Sequence, residues 1–165
     1  MTTHEARPPM YAWVDGALVA AADASISAFD RGFQLGDGVF ETLRARGGRP
    51  AELAEHLARL DRSATGLAIE LPSDLGDRIS HGIAELLAAD GLDAPTADAS
   101  IRITVSRGTF FGRGLLPPTE HPAATIVIQA WAVPPVPRDH LEAGLHLIAS
   151  SVRRDPENPL STLKT

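Results

Sequence analysis

Of the fifteen basic residues in this 165-residue sequence, fourteen are arginine, and the exception is Lys164. The two cations differ in what they can do. A guanidinium stays protonated, whereas an amine adds to a carbonyl, forms an imine and passes a proton. Position 164 therefore holds the one side-chain amine available for covalent chemistry; a solvated lysine in an arginine-rich chain accounts for the same residue. Other reactive combinations are excluded. There are no cysteines, hence no thiol nucleophile, zinc–thiolate site or disulfide. The histidines at 4, 56, 81, 121, 140 and 146 include no i, i+4 pair around a carboxylate, which argues against a metal site. The stretch GDGVFE at 36–41 begins like a dinucleotide fingerprint but lacks the third glycine and follows no βαβ pattern. No G-x-S-x-G elbow or G-K-[ST] loop occurs, so the usual hydrolase and kinase readings fail.

The elements that must position such a lysine can be read from periodicity. Asp15-Gly16 between two apolar runs predicts a β-hairpin over 11–20. After an irregular stretch, GVFETLRARGGRP predicts a strand entering a Gly47-Gly48 turn. Leu53, Leu57, Leu60, Ala64 and Leu67 then recur at helical spacing, and a second amphipathic helix is predicted from Ser73 to about Asp90, with Ser73 as N-cap and Gly91 as stop. ASIRITVSRG and ATIVIQAWAV predict two strands, PPVPRDHLEAG a connector with a helical turn, and LHLIASSVRR a final strand. Strands, two helices, then strands imply an α+β fold with an antiparallel sheet and two helices packed against it.

Apolar residues make up 44% of the chain, enough for one ordinary core or two small ones. The net charge of −6 and pI near 5.4 argue against nucleic-acid partners, because no basic stripe is present to displace counterions from phosphates. No run approaches the ~18 apolar residues of a membrane span, and the first residues lack a signal-peptide pattern. A cytoplasmic protein with small-molecule partners is expected.

Three stretches taken together resemble the class-IV aminotransferases, the fold-type IV pyridoxal-phosphate enzymes that include branched-chain and D-amino-acid aminotransferases and aminodeoxychorismate lyases. They are DRGFQLGDGVFETLR at 30–44, EHLARLDRSA at 55–64 and SSVRRDPENPLSTLKT at 150–165, with its R…NP…K pattern. The resemblance covers almost the whole chain and implies pyridoxal 5'-phosphate as cofactor and Lys164 as its Schiff-base lysine. It implies that Arg59 grips the cofactor phosphate, although by periodicity Arg59 lies off the Leu57/Leu60 stripe and reads equally as a solvated helix arginine. Phe40 falls where relatives have an aromatic residue in the substrate pocket; core packing explains it too. Arg102 matches an arginine that receives a substrate carboxylate in the branched-chain enzymes, and it also suits the polar face of a strand. Arg113, between glycines in a loop, resembles a carboxylate-pairing arginine of the lyases, with a plain surface arginine as the alternative. Leu35 departs from the pattern, standing where the branched-chain enzymes usually have Tyr and the D-amino-acid enzymes Phe.

The resemblance further implies a flexible start over 1–10, an N-terminal α+β domain over 11–153 and an interdomain segment over 154–165 that carries the lysine. A second domain would follow it, supplying a partner for the cofactor ring nitrogen and most phosphate-binding backbone groups. The expectation is therefore a longer enzyme, with these 165 residues inactive alone. Aminotransfer between an aliphatic, branched-chain-like amino acid and a 2-oxo acid is the first activity implied, aminodeoxychorismate lyase the second, and a non-catalytic dimerisation module the third. A homodimer or larger homo-oligomer is implied, since the family builds its site between domains and subunits.

Overall fold

The computed structural model describes residues 8–119, 121–152 and 157–165. Most of the expected flexible start, Arg153 of the third motif, and the beginning of the expected interdomain segment lie outside the described residues. A six-stranded antiparallel sheet forms the framework, in the order β2-β1-β6-β5-β3-β4. Its strands are β1 Tyr11–Val14, β2 Ala17–Ala20, β3 Gly38–Arg46, β4 Arg49–Pro50, β5 Asp98–Ser106 and β6 Thr125–Ala132. The helices are α1 Arg31–Leu35, α2 Leu53–Gly66, α3 Leu75–Ala89 and α4 Arg138–Ala143, with a 3-10 turn at Pro159–Thr162. The α+β expectation holds.

Local chemistry explains these elements. Asp15 and Gly16 adopt φ of 50° and 105°, the left-handed pair that matches the twist of a two-residue hairpin. Helices α2 and α3 turn their apolar stripes to one face of the sheet: Leu60, Ile79, Ile83, Leu86 and Leu87 meet Ile101, Ile103, Ile126 and Ile128, all essentially fully buried. Each such side chain contributes about 1.5–3 kcal/mol of burial. At the centre of this contact Gly82 of α3 lies against the Trp13 ring. A Cβ there would stand 2.7 Å from two ring atoms and 2.9 Å from Ile128 Cδ1. Alanine would gain up to ~1 kcal/mol of helix propensity, but the buried Trp13 ring and the Ile128 side chain would have to shift to admit it. Gly82→Ala is expected to lower stability by about 1–2 kcal/mol, at the low end of overpacking costs, as checked by urea denaturation.

Two local expectations need correction. Helix α3 begins at Leu75 with Asp74, not Ser73, at the N-cap position, and no side-chain cap bond forms there. The predicted stop is right, with Gly91 at φ +67° just beyond the helix. The segment 145–152 is not a strand. It alternates in sequence, but Leu145, Leu147, Ile148 and Val152 are each at least 80% exposed, with no neighbouring strand among the described residues to take up their backbone groups.

Candidate active site

The sheet has two faces with different fates. On β3, Val39, Glu41, Leu43 and Ala45 point to the helices and are buried, while Phe40, Thr42, Arg44 and Arg46 point the other way. Full-length pairing of β3 with β5 sets Phe40 opposite Thr104 and Thr42 opposite Arg102. Arg102 then reaches diagonally across the open face, and its guanidinium carbon lies 3.8 Å from the centre of the Phe40 ring. Both residues line a cavity of about 370 Å³ with Ile26, Phe33, Thr104 and Val127.

The final residues run past the free edge of β3. Phe40 N–H donates to the Lys164 carbonyl at 3.0 Å, and Lys164 N–H donates to Ser63 Oγ of α2 at 3.2 Å. Both sides of the lysine backbone are thereby fixed. Its amine, on a side chain 32% exposed, lies 3.5 Å from Glu41 Oε2 and 5.4 Å from the Phe40 ring centre. The lysine thus straddles the sheet edge, with the buried carboxylate on the helix side and the aromatic ring on the open side.

Glu41 is completely buried and is the centre of this arrangement. His56 and Arg59, three residues apart on α2, come down on the same face to meet it. Arg59 Nε donates to Oε1 at 2.7 Å and Nη2 to Oε2 at 2.5 Å, while His56 Nδ1 lies 2.8 Å from Oε2. Burial alone would raise the Glu41 pKa. The hydrogen bonds from Arg59 and His56 and the Lys164 charge outweigh it and hold the carboxyl below its ordinary range.

A second charge cluster, with both its arginines buried, lies beside this one and lines a neighbouring cavity. Asp37 accepts from Arg31 Nε at 2.7 Å, from Arg107 Nε at 2.8 Å and from Arg107 Nη2 at 3.0 Å. Arg107 also donates to the carbonyls of Leu67 and Ala68 beyond α2, and Arg31 to those of Gly114 and Leu115. Asp30 caps α1 through Gly32 N–H at 2.7 Å and accepts from Ser106 and Thr125 hydroxyls at the ends of β5 and β6. The DRGFQLGDG stretch is thus a clasp that ties α1, the sheet ends, α2 and the 112–116 loop together.

Of the residues singled out in the sequence, Lys164, Arg59, Phe40 and Arg102 converge on this strip of β3. Arg113 does not join them; it is exposed and lines neither this cavity nor the neighbouring one. Leu35 faces that neighbour, a cavity of about 520 Å³, together with Leu115 and Leu160, and Thr165 lines both. Sequence reasoning passed over Glu41 as a functional residue. The signal was present: a lone acidic residue in the inward phase of an otherwise apolar strand face.

Comparison with known proteins places the chain in a family. The family described as amino-transferase class IV matches residues 38–165. A provisionally named branched-chain-amino-acid aminotransferase of Methanocaldococcus jannaschii is 37% identical over 152 residues, covering 92% of this chain and 49% of the relative. The crystal structure of 4-amino-4-deoxychorismate lyase from Pseudomonas aeruginosa superposes with a TM-score of 0.73 at 33% identity, over 93% of this chain and 51% of that one. An aminotransferase of Mycobacterium tuberculosis, described as hypothetical and solved in its PLP-bound form, gives a TM-score of 0.57 at 26% identity, over 81% and 42%. The chain spans about half the length of the first two. Identity at this level, carried along nearly the whole chain on the same sheet and helices, reflects common descent, and the chain belongs to the class IV aminotransferase family.

Proposed function

We propose that the protein moves an amino group between an amino acid, an aliphatic branched-chain type first, and a 2-oxo acid, using pyridoxal 5'-phosphate. The observation that carries this is the placement of two different cations against one aromatic ring. Arg102 stacks on Phe40 inside the cavity and the Lys164 amine lies 5.4 Å from the same ring at the sheet edge, beside Thr165 of the cavity wall, so a carboxylate receptor and a reactive amine flank one aromatic side chain. The residues present fit the cofactor. Arg59 spends Nε and Nη2 on Glu41 and keeps Nη1 without a protein partner among the described residues, on a side chain 43% exposed, where it can meet a phosphate. When bound, pyridoxal phosphate supplies an aldehyde for the amine and a ring that draws electrons from the substrate α-carbon.

The chain's own contributions follow. Arg102, held flat against Phe40, orients the substrate carboxylate. Ile26, Phe33 and Val127 offer the apolar wall that an aliphatic side chain needs and exclude water beside it. Lys164 Nζ, once free, would take the proton from the substrate α-carbon and deliver it to the former aldehyde carbon of the cofactor, a role for which its backbone is fixed at both N–H and carbonyl. The exposed Phe33, Phe111, Leu115 and Leu116 support a further part of the proposal, that a second domain or subunit covers the cavity mouths. Among the described residues no helix is long and apolar enough to cross a membrane.

A second reading, elimination of pyruvate from aminodeoxychorismate, is favoured by the likeness to the Pseudomonas aeruginosa lyase. Incubation of the full-length protein with pyridoxal phosphate, aliphatic amino acids and 2-oxoglutarate is expected to yield glutamate. Aminobenzoate from aminodeoxychorismate would select the lyase instead. Neither product, together with no cofactor absorbance, would leave a non-catalytic module.

A further inference from the structure

Resting on that cofactor reading, we infer that Glu41 is the positioning residue of the phosphate end: its buried carboxylate fixes the Arg59 guanidinium by one edge and so aims the other edge at the anion. The first support is cost. A carboxylate with no solvent exposure, on a strand face shared with Val39 and Leu43, is expensive to desolvate, and an apolar side chain would fill that place more cheaply. The charge is kept for something other than packing.

The second support is geometry. The Nε–Nη2 edge of Arg59 is engaged by both carboxylate oxygens, which fixes the plane of the guanidinium as well as its location. Only Nη1 is left for a ligand, and the direction of its N–H bonds is dictated by Glu41. His56 packs against the same pair, its Nδ1 2.8 Å from Glu41 Oε2 and 3.0 Å from Arg59 Nη2, so the imidazole closes a triangle with carboxylate and guanidinium and limits the turning of either. The third support is the order of the distances. Lys164, at 3.5 Å, is the most distant of the three partners of Glu41. When that amine is drawn into chemistry, Arg59 and His56 still compensate the buried charge, so the phosphate grip does not depend on the state of the lysine.

The test compares affinities for pyridoxal phosphate and for pyridoxal, which lacks the phosphate, by quenching of tryptophan fluorescence. Arg59→Met is expected to reduce the preference for the phosphorylated form, which establishes Arg59 as the phosphate ligand. Glu41→Gln is expected to reduce that preference, read as the ratio of the two affinities so that any effect through Lys164 on both aldehydes cancels, by about tenfold although Arg59 is present. Adding Glu41→Gln to Arg59→Met should produce no further loss. A merely structural role for Glu41 would weaken both ligands alike, and that outcome, or an unchanged preference in a folded Glu41→Gln protein, overturns the inference while leaving the cofactor reading intact. If Arg59→Met keeps the wild-type preference, the cofactor reading of this site fails and the inference with it. Should Glu41→Gln not fold, Glu41→Asp serves. It keeps the charge but is one methylene too short to hold both donors, and the preference should again fall; an unchanged preference in this variant overturns the inference equally.

Discussion

Replacement of Lys164 by alanine is expected to abolish borohydride-fixed attachment of pyridoxal phosphate and to lower amino transfer by at least about a thousandfold. The magnitude follows from two losses. Proton transfer at the α-carbon by a positioned base contributes about 10² to 10⁴-fold, and covalent attachment to the enzyme is lost in addition. No other side chain can substitute, since every other basic residue apart from histidine is arginine. The fold should survive: the contacts that seat this segment, Phe40 N–H to the residue 164 carbonyl and residue 164 N–H to Ser63, are made by backbone. Glu41 also retains Arg59 and His56. Mass spectrometry after reduction should therefore find the pyridoxyl group on Lys164 in the wild type and nowhere in the variant. Equal incorporation in both would remove the lysine from the mechanism.

How much of this could be read from sequence depended on how local the cause was. The stripes of α2 and α3 repeat within each helix, and the Asp15-Gly16 turn is written in two adjacent residues, so these elements were legible. The alternation of β5 was equally clear, and with it the placing of Arg102 on the face opposite Ile101 and Ile103. What alternation could not supply was a neighbour. Segment 145–152 alternates as well as β5 does, yet a strand is made by its partners, and this segment has none among the described residues. The Phe40–Arg102 stack depends on the β3/β5 register, and the Glu41 cluster joins residues 41, 56, 59 and 164. Those meetings come from tertiary packing. Resemblance brought Lys164, Arg59, Phe40 and Arg102 forward one at a time; the structure adds the carboxylate that two of them share. For Arg113 the loop pattern was visible, but Arg31 holds that loop through the carbonyls of Gly114 and Leu115 while the Arg113 side chain remains exposed.

Asp37→Asn is expected to produce the largest loss of stability, about 3–5 kcal/mol, the cost of removing one partner from a buried ionic cluster. Arg31 and Arg107 have side chains only 4% and 5% exposed, so neither can recover its solvation when the carboxylate charge is gone. Their remaining acceptors are backbone carbonyls, which carry no compensating charge. For a chain of this size the midpoint of thermal unfolding should fall by roughly 6–20 °C. The pH dependence distinguishes charge from shape. Burial would raise the Asp37 pKa, but hydrogen bonds from Arg107 and Arg31 and their charges outweigh it and hold the folded carboxyl below its ordinary value. The unfolded chain binds that proton more readily, so the contribution is fully present above the ordinary carboxylate range, near pH 4, and drains away as pH falls from there through the folded pKa. The gap between wild type and Asp37→Asn should accordingly be widest near neutrality and shrink below about pH 4. A gap that stays constant with pH would show that lost shape, not lost charge, sets the cost. The function should suffer along with the fold, because the same two arginines tie the end of α2, which carries Arg59 and Ser63, to the 112–116 loop, whose Leu115 lines the neighbouring cavity.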